Sequence, residues 1–83
     1  MKSYFLTGIA NSEAARATLD RLLPTQRDPW VLFDGAGDSI AYFNAEGDGI
    51  SADISGRHFN QDAVVIELLE AIQLEAGGAL VSD

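Results

Sequence analysis

The sequence predicts an α+β fold, a two-layer sandwich in which two helices lie on a mainly antiparallel β-sheet. Four short stretches rich in β-forming residues are separated by turn residues, and two longer stretches carry apolar residues at helical spacing. The order βαβββα, with an additional C-terminal strand left open, is ferredoxin-like in plan with one strand more. The 83 residues predict a single domain, residues 1–83, with one small core.

The first strand and the first helix follow each other directly. The stretch "YFLTGIA", Tyr4 to Ala10, is rich in residues that favour strands. Asn11 or Ser12 can then cap a helix that runs to about Leu23, with leucines at spacings of three and four. Pro24 stops this helix, because proline lacks the backbone N–H that a further turn requires.

Three strands come next and are separated by short turns. They are predicted at Trp30 to Asp34, Ser39 to Asn44 and Ile50 to Ser55. The connecting stretches "GAGD" and "AEGDG" have the glycine and aspartate content of turns. The third of these strands alternates apolar and polar residues without interruption, which is typical of a strand with one face on a core.

The stretch "NAEGDGISAD" invites comparison with a calcium-binding loop. Asn44, Glu46 and Asp48 occupy the positions of the first three oxygen ligands. The twelfth position, which supplies a bidentate carboxylate in such loops, is Ser55. The stretch is therefore predicted to be a turn between two strands, and no metal site is expected.

The second helix is predicted to begin at a cap formed by Asn60 or Asp62 and to end at Ala76, before Gly77 and Gly78. Its apolar residues cover most of the circumference, whereas a helix that packs on one sheet needs an apolar stripe of about 100°. The surplus predicts a second contact within the domain or with a partner.

The sequence contains 13 acidic and 5 basic residues, giving a formal net charge of −8. This charge opposes binding to nucleic acid and to anionic membranes. It is interpreted either as a means of keeping a small domain soluble or as an attraction for a basic protein partner. The chain has no cysteine, and no apolar run approaches the roughly 18 residues of a membrane span. These features predict a cytoplasmic protein without a cofactor.

Catalytic chemistry has little support in the sequence, and no catalytic residue is predicted. His58 is the single histidine, so any Ser–His–Asp arrangement would have to include it. Arg57 and His58, just before the second helix, are candidates for an anion site, with a solvated loop as the alternative. Asp34 and Asp38 are interpreted as turn residues that cap their own backbone.

Apolar residues occur on both faces of two predicted strands. Trp30 and Phe33 point to opposite faces of the second strand, and the third strand places Ile40 and Tyr42 opposite Phe43. A two-layer domain leaves one sheet face in water, so apolar residues on that face predict an interface. The predicted contact residues, including two from the second helix, are Trp30, Phe33, Tyr42, Phe43, Leu69 and Ile72.

The main functional hypothesis is a non-catalytic protein-binding module that acts as a homodimer. One alternative is an acidic inhibitor or immunity-type protein that blocks a basic partner. The other is a small-molecule-sensing regulatory domain. The element order is similar to that of ACT-type regulatory domains, although no motif is shared. That resemblance implies a ligand near Gly8, Asn11 and Ser12, where the first strand meets the first helix.

Overall fold

A computed structural model describes residues 2–23, 29–55 and 61–82, which form five strands and two helices. In chain order the elements are β1 (Lys2–Thr7), α1 (Ser12–Leu22), β2 (Trp30–Phe33), β3 (Ser39–Glu46), β4 (Gly49–Ile54), α2 (Asp62–Ala76) and β5 (Ala79–Ser82).

The strands form one sheet in the order β2-β3-β4-β1-β5, and every neighbouring pair is antiparallel. The prediction of an α+β fold with a mainly antiparallel sheet is confirmed. The C-terminal stretch that the sequence left open forms β5 at one edge, and β2 forms the other edge. The first strand is the one whose bounds differ most: it ends at Thr7, not at Ala10.

The core lies between one face of the sheet and the two helices. Tyr4 pairs with Ala52, which pairs with Phe43 on its other side, so these three side chains share a face. Directly opposed residues of antiparallel strands point the same way. The buried helix residues that complete this core are Ala15, Thr18 and Leu19 of α1 and Val65, Leu69, Ile72 and Ala76 of α2.

Of the two residues predicted to cap helix α1, Asn11 and Ser12, the cap is Asn11. The Asn11 side chain accepts a hydrogen bond from the Ala14 N–H at 3.1 Å, which satisfies one of the free donors of the first turn. Two α1 side chains meet β2 at Trp30: its Nε1–H donates to Asp20 at 2.9 Å, and the Arg16 guanidinium lies 5.8 Å from its ring centroid. Trp30 therefore ties the first helix to the sheet edge.

Helix α2 begins differently from the prediction. Asp62 does not cap it: the cap position is Gln61, which makes no side-chain capping bond, and Asn60 lies outside the described residues. Asp62 instead lies in the first helical turn and accepts a hydrogen bond from the Tyr4 hydroxyl at 2.6 Å. Its carboxylate thus holds the start of the helix against β1, and its negative charge interacts favourably with the positive end of the helix dipole.

A β-bulge in β3 changes which residues face the core. The register with β2 shifts after Leu32, which pairs with Ala41, and the shift leaves Ile40 as an additional residue. Ile40 and Ala41 are consecutive yet both buried in the core cluster, as occurs where two residues of a bulged strand oppose one residue of its neighbour. The prediction that Ile40 shares a face with Tyr42 is therefore wrong.

Both acidic turns of the meander are turns, as predicted. The Asp34 carboxylate accepts the N–H groups of Ala36 at 2.8 Å and Asp38 at 2.9 Å, so it caps its own turn. Gly47 and Asp48 alone connect the paired ends of β3 and β4.

Neither helix, over the part of the chain that the structure describes, is long and apolar enough to cross a membrane.

Candidate protein-interaction face

The sheet face opposite the helices is the candidate site, and it is called the open face below. Its side chains alternate along the strands with those of the core and lie opposite one another in the strand register. They are Ser3, Phe5, Thr7, Val31, Phe33, Ser39, Tyr42, Asn44, Glu46, Ser51, Asp53, Ala79 and Val81.

Two of the six predicted contact residues lie on this face. Phe33 and Tyr42 are each 40% exposed to solvent. The other four are in the core, at 2% exposure or less: Trp30, Phe43, Leu69 and Ile72. Trp30 and Phe43 oppose each other on the helix side of the sheet, so neither is available on the surface of the folded chain.

The β-bulge places the exposed aromatic residues together. Because of the additional residue in β3, Ser39 and Tyr42 point to the same face, and their hydroxyls are hydrogen-bonded at 2.9 Å. Phe33 pairs with Ser39, and Val31 pairs with Tyr42. We call Val31, Phe33 and Tyr42 the aromatic corner; Val31 is buried there, while the two rings are half exposed.

The middle of the open face is polar and acidic. Asp53 lies between Tyr42 and Ser3 in the strand register and accepts a hydrogen bond from the Ser3 hydroxyl at 2.6 Å. The two arginines of α1 lie elsewhere: Arg16 is stacked on the Trp30 ring, and Arg21 pairs with a glutamate of α2 at 3.6 Å. The described side chains on the open face therefore include carboxylates and no basic group.

A hollow of about 140 Å³ lies at the end of the open face near the β3–β4 turn. The open-face side chains around it are Phe5, Thr7, Glu46 and Ser51, and Gly49 adds no side chain of its own. Small-molecule sites in proteins enclose about 300–1,000 Å³. This hollow is smaller, so its size suits a single side chain better than a metabolite or a cofactor.

The outer surface of α2 is the other place where large apolar side chains are exposed. Leu74 is 88% exposed and Val64 is 39% exposed. They are ten residues apart, which separates them by about 15 Å along the axis and about 80° around it. Glu67 and Glu70 are exposed on the turns between them. The two residues therefore do not form one apolar patch, and helix pairing has weaker support than the open face.

The junction after β1, where a sensor domain would hold its ligand, is closed by hydrogen bonds within the chain. The Ile9 N–H donates to the Asp48 carbonyl at 2.8 Å. The N–H groups of Ala10 and Asn11 donate to the Ala76 carbonyl at 3.0 and 3.2 Å. These three backbone donors are therefore engaged within the chain and are not free for a carboxylate or phosphate ligand.

Replacing Asn11 with Ala is expected to lower the free energy of unfolding by about 1 kcal/mol, because the Ala14 N–H loses its acceptor. Urea denaturation measures this change. Ser12→Ala is the matched control, since Ser12 is exposed and is not the capping residue. A loss from Ser12→Ala as large as that from Asn11→Ala would contradict the assignment of the cap.

Arg57 and His58, the anion-site candidates, lie outside the described residues. Within the described ranges, no group of three or more histidine, aspartate or glutamate side chains is arranged to hold a metal ion.

Comparison with protein-family models, with curated proteins and with solved structures found no match to this chain.

The sequence did not point to Phe5 or Asp53, and Glu46 was considered only as a position of a calcium-binding loop. A signal for Asp53 was present, because the alternation from Ile50 to Ser55 already placed it on the face opposite the core. Its proximity to β1 was not visible, because Ser3 and Asp53 are 50 residues apart in the chain. Residues that meet across such a separation can be identified only once the strand order is known.

Proposed function

We propose that this chain is a non-catalytic protein-binding module whose binding surface is the open face of the sheet. The observation that carries the proposal is the exposure of Phe33 and Tyr42 side by side on a face that neither helix covers. Half-exposed aromatic rings that cluster on one surface are typical of interaction sites, because aromatic side chains are enriched at protein interfaces relative to the rest of the surface.

The size of the open face sets the strength of binding that we expect. Five strands about 4.8 Å apart and about six residues long give a surface of about 20 by 20 Å, or about 400 Å². A stable complex buries about 800 Å² on each partner. We therefore expect a weak complex, or one in which the partner also contacts an edge strand.

A homodimer is the first form of this proposal. In a two-fold dimer with the sheets packed face to face, each copy would place its aromatic corner against the open face of the other.

The proposal includes the cytoplasmic location that was predicted from the sequence. It also keeps the ferredoxin-like plan, which is supported by the order βαββαβ that remains when the edge strand β2 is set aside.

An acidic inhibitor that blocks a basic partner is the second candidate function. The observation that favours it is Asp53, whose carboxylate lies in the middle of the open face. Burying a carboxylate in an interface is costly unless the partner supplies a positive charge. The formal net charge of −8 would also accelerate the association with a basic protein.

The mass of the protein in solution tests the homodimer directly. At about 100 μM, light scattering after size-exclusion chromatography is expected to give about twice 8.9 kDa, with dissociation towards about 1 μM. Tyr42→Asp is expected to abolish the dimer, since it places a charge in the aromatic corner. Leu74→Asp, on the exposed side of α2, is the matched control and should leave the mass unchanged. The reverse pattern would assign the interface to α2.

A further inference from the structure

The hollow at the turn end of the open face has a mixed lining. On one side is the half-buried ring of Phe5, and the carboxylate of Glu46 is exposed near the β3–β4 turn. The hydroxyl groups of Thr7 and Ser51 come from the two strands between which it lies. The hollow thus combines an apolar surface, two hydroxyl groups and one negative charge.

An arginine side chain matches this combination. Its methylene stem and planar guanidinium can lie against an aromatic ring, while the N–H groups reach a carboxylate and hydroxyl oxygens. The volume of about 140 Å³ has room for one long side chain. Protein interfaces commonly use such a pocket for a single anchoring residue, and arginine is one of the residues most often found in that role.

We propose that the hollow formed by Phe5, Thr7, Glu46 and Ser51 is the anchor site for an arginine side chain of a basic protein partner. This inference rests on the second candidate function, in which the open face receives a basic partner. Asp53 lies on the same face, and together with Glu46 it makes the potential of this surface negative. A basic partner is therefore attracted to the face before the anchor is inserted.

The arginine that fills the hollow is assigned to a different protein, because the described arginines of this chain are engaged elsewhere. The two arginines that the structure describes, Arg16 and Arg21, belong to α1 and already contact Trp30 and Glu75. Neither is on the open face. A dimer of two open faces would therefore not place either of these arginines in the hollow.

Titration of the ¹⁵N-labelled chain with N-acetylarginine amide tests the anchor site by NMR. We expect saturable shifts of the Thr7, Gly49 and Ser51 amide signals, with a dissociation constant of about 1 mM for a ligand of this size. N-acetylcitrulline amide has nearly the same shape but no charge, and it should bind at least about fivefold more weakly. Glu46→Gln and Phe5→Leu should each weaken arginine binding about threefold.

Glu67→Gln is the control for the loss of one negative charge, because Glu67 is exposed on α2, away from the hollow. It should leave the arginine titration unchanged. Equal binding of arginine and citrulline, equal effects of Glu46→Gln and Glu67→Gln, or no saturable shift at these amides would each overturn the anchor site. If that happens while Tyr42→Asp still abolishes self-association, the proposed function stands and only the arginine anchor is lost.

Discussion

Replacing Gly78 with Ala is expected to destabilise the domain by about 3 kcal/mol, one of the two largest effects that we expect from a single substitution. Gly78 has a backbone φ of +109°, a conformation that side chains disfavour. A Cβ at this position would also lie 2.9 Å from the carbonyl oxygen of Thr7 and 3.3 Å from the side chains of Leu6 and Ile9. Strain and a steric clash therefore act together.

The structure around Gly78 has little freedom to relieve this clash. The nearest atom is a backbone oxygen of β1, the strand that lies between β4 and β5. The Gly78 carbonyl is also held by the Gln73 side chain, whose Nε2 donates to it at 2.9 Å. Movement away from β1 would thus disturb both the end of α2 and the pairing of β5, so the cost is expected to appear as a loss of global stability.

Gly47→Ala is the matched control for this prediction. Gly47 also has a positive φ, +57°, but a Cβ there would meet no atom within 4 Å. It should cost only the conformational strain, about 1 kcal/mol. Urea denaturation of both variants gives the difference, which reports the close contacts of Gly78 together with the greater strain of a φ of +109° than of +57°. If both variants lose the same free energy of unfolding, the close approach of Gly78 to β1 does not contribute to the destabilisation.

Local sequence patterns predicted every helix and strand except β5, which they left open. The uninterrupted alternation of β4 and the start of α1 after Asn11 or Ser12 could be predicted, because each depends on residues that are neighbours in the chain. The β-bulge was not readable. The bulge buries Ile40 beside Ala41, and it depends on how β3 pairs with β2. A strict alternation of apolar and polar residues along one strand does not predict this pairing.

The same limit explains the contact residues that the sequence misplaced. Alternation shows that Trp30 and Phe33 point to opposite faces, but it does not show which face the helices cover. In α2, the surplus apolar surface suggested a partner for Leu69 and Ile72. Both lie in the core shared with α1, and the exposed large apolar residues of this helix are Val64 and Leu74. Packing of one helix against a sheet and a second helix uses more of its circumference than a single contact does.

Phe43→Ala is expected to lower the free energy of unfolding by about 3–5 kcal/mol, because it removes a fully buried ring and leaves a cavity in the core. A domain of this length has a small total stability, at the lower end of about 5–15 kcal/mol. The variant should therefore be largely unfolded or close to its midpoint at room temperature. Circular dichroism with urea denaturation measures this loss.

Tyr42→Ala, the change at the adjacent position, makes the comparison specific to the face of the sheet. Tyr42 is half exposed, and its hydroxyl is hydrogen-bonded to the Ser39 hydroxyl. We therefore expect Tyr42→Ala to lower the free energy of unfolding by no more than about 1 kcal/mol. The two variants thus separate stability from binding: Phe43 reports on the core, and Tyr42 reports on the open face. If Tyr42→Ala destabilises the chain as much as Phe43→Ala, Tyr42 is a structural residue and its exposure cannot support an interaction surface. If it leaves stability intact and removes self-association or binding of a basic partner, the aromatic corner is the contact surface.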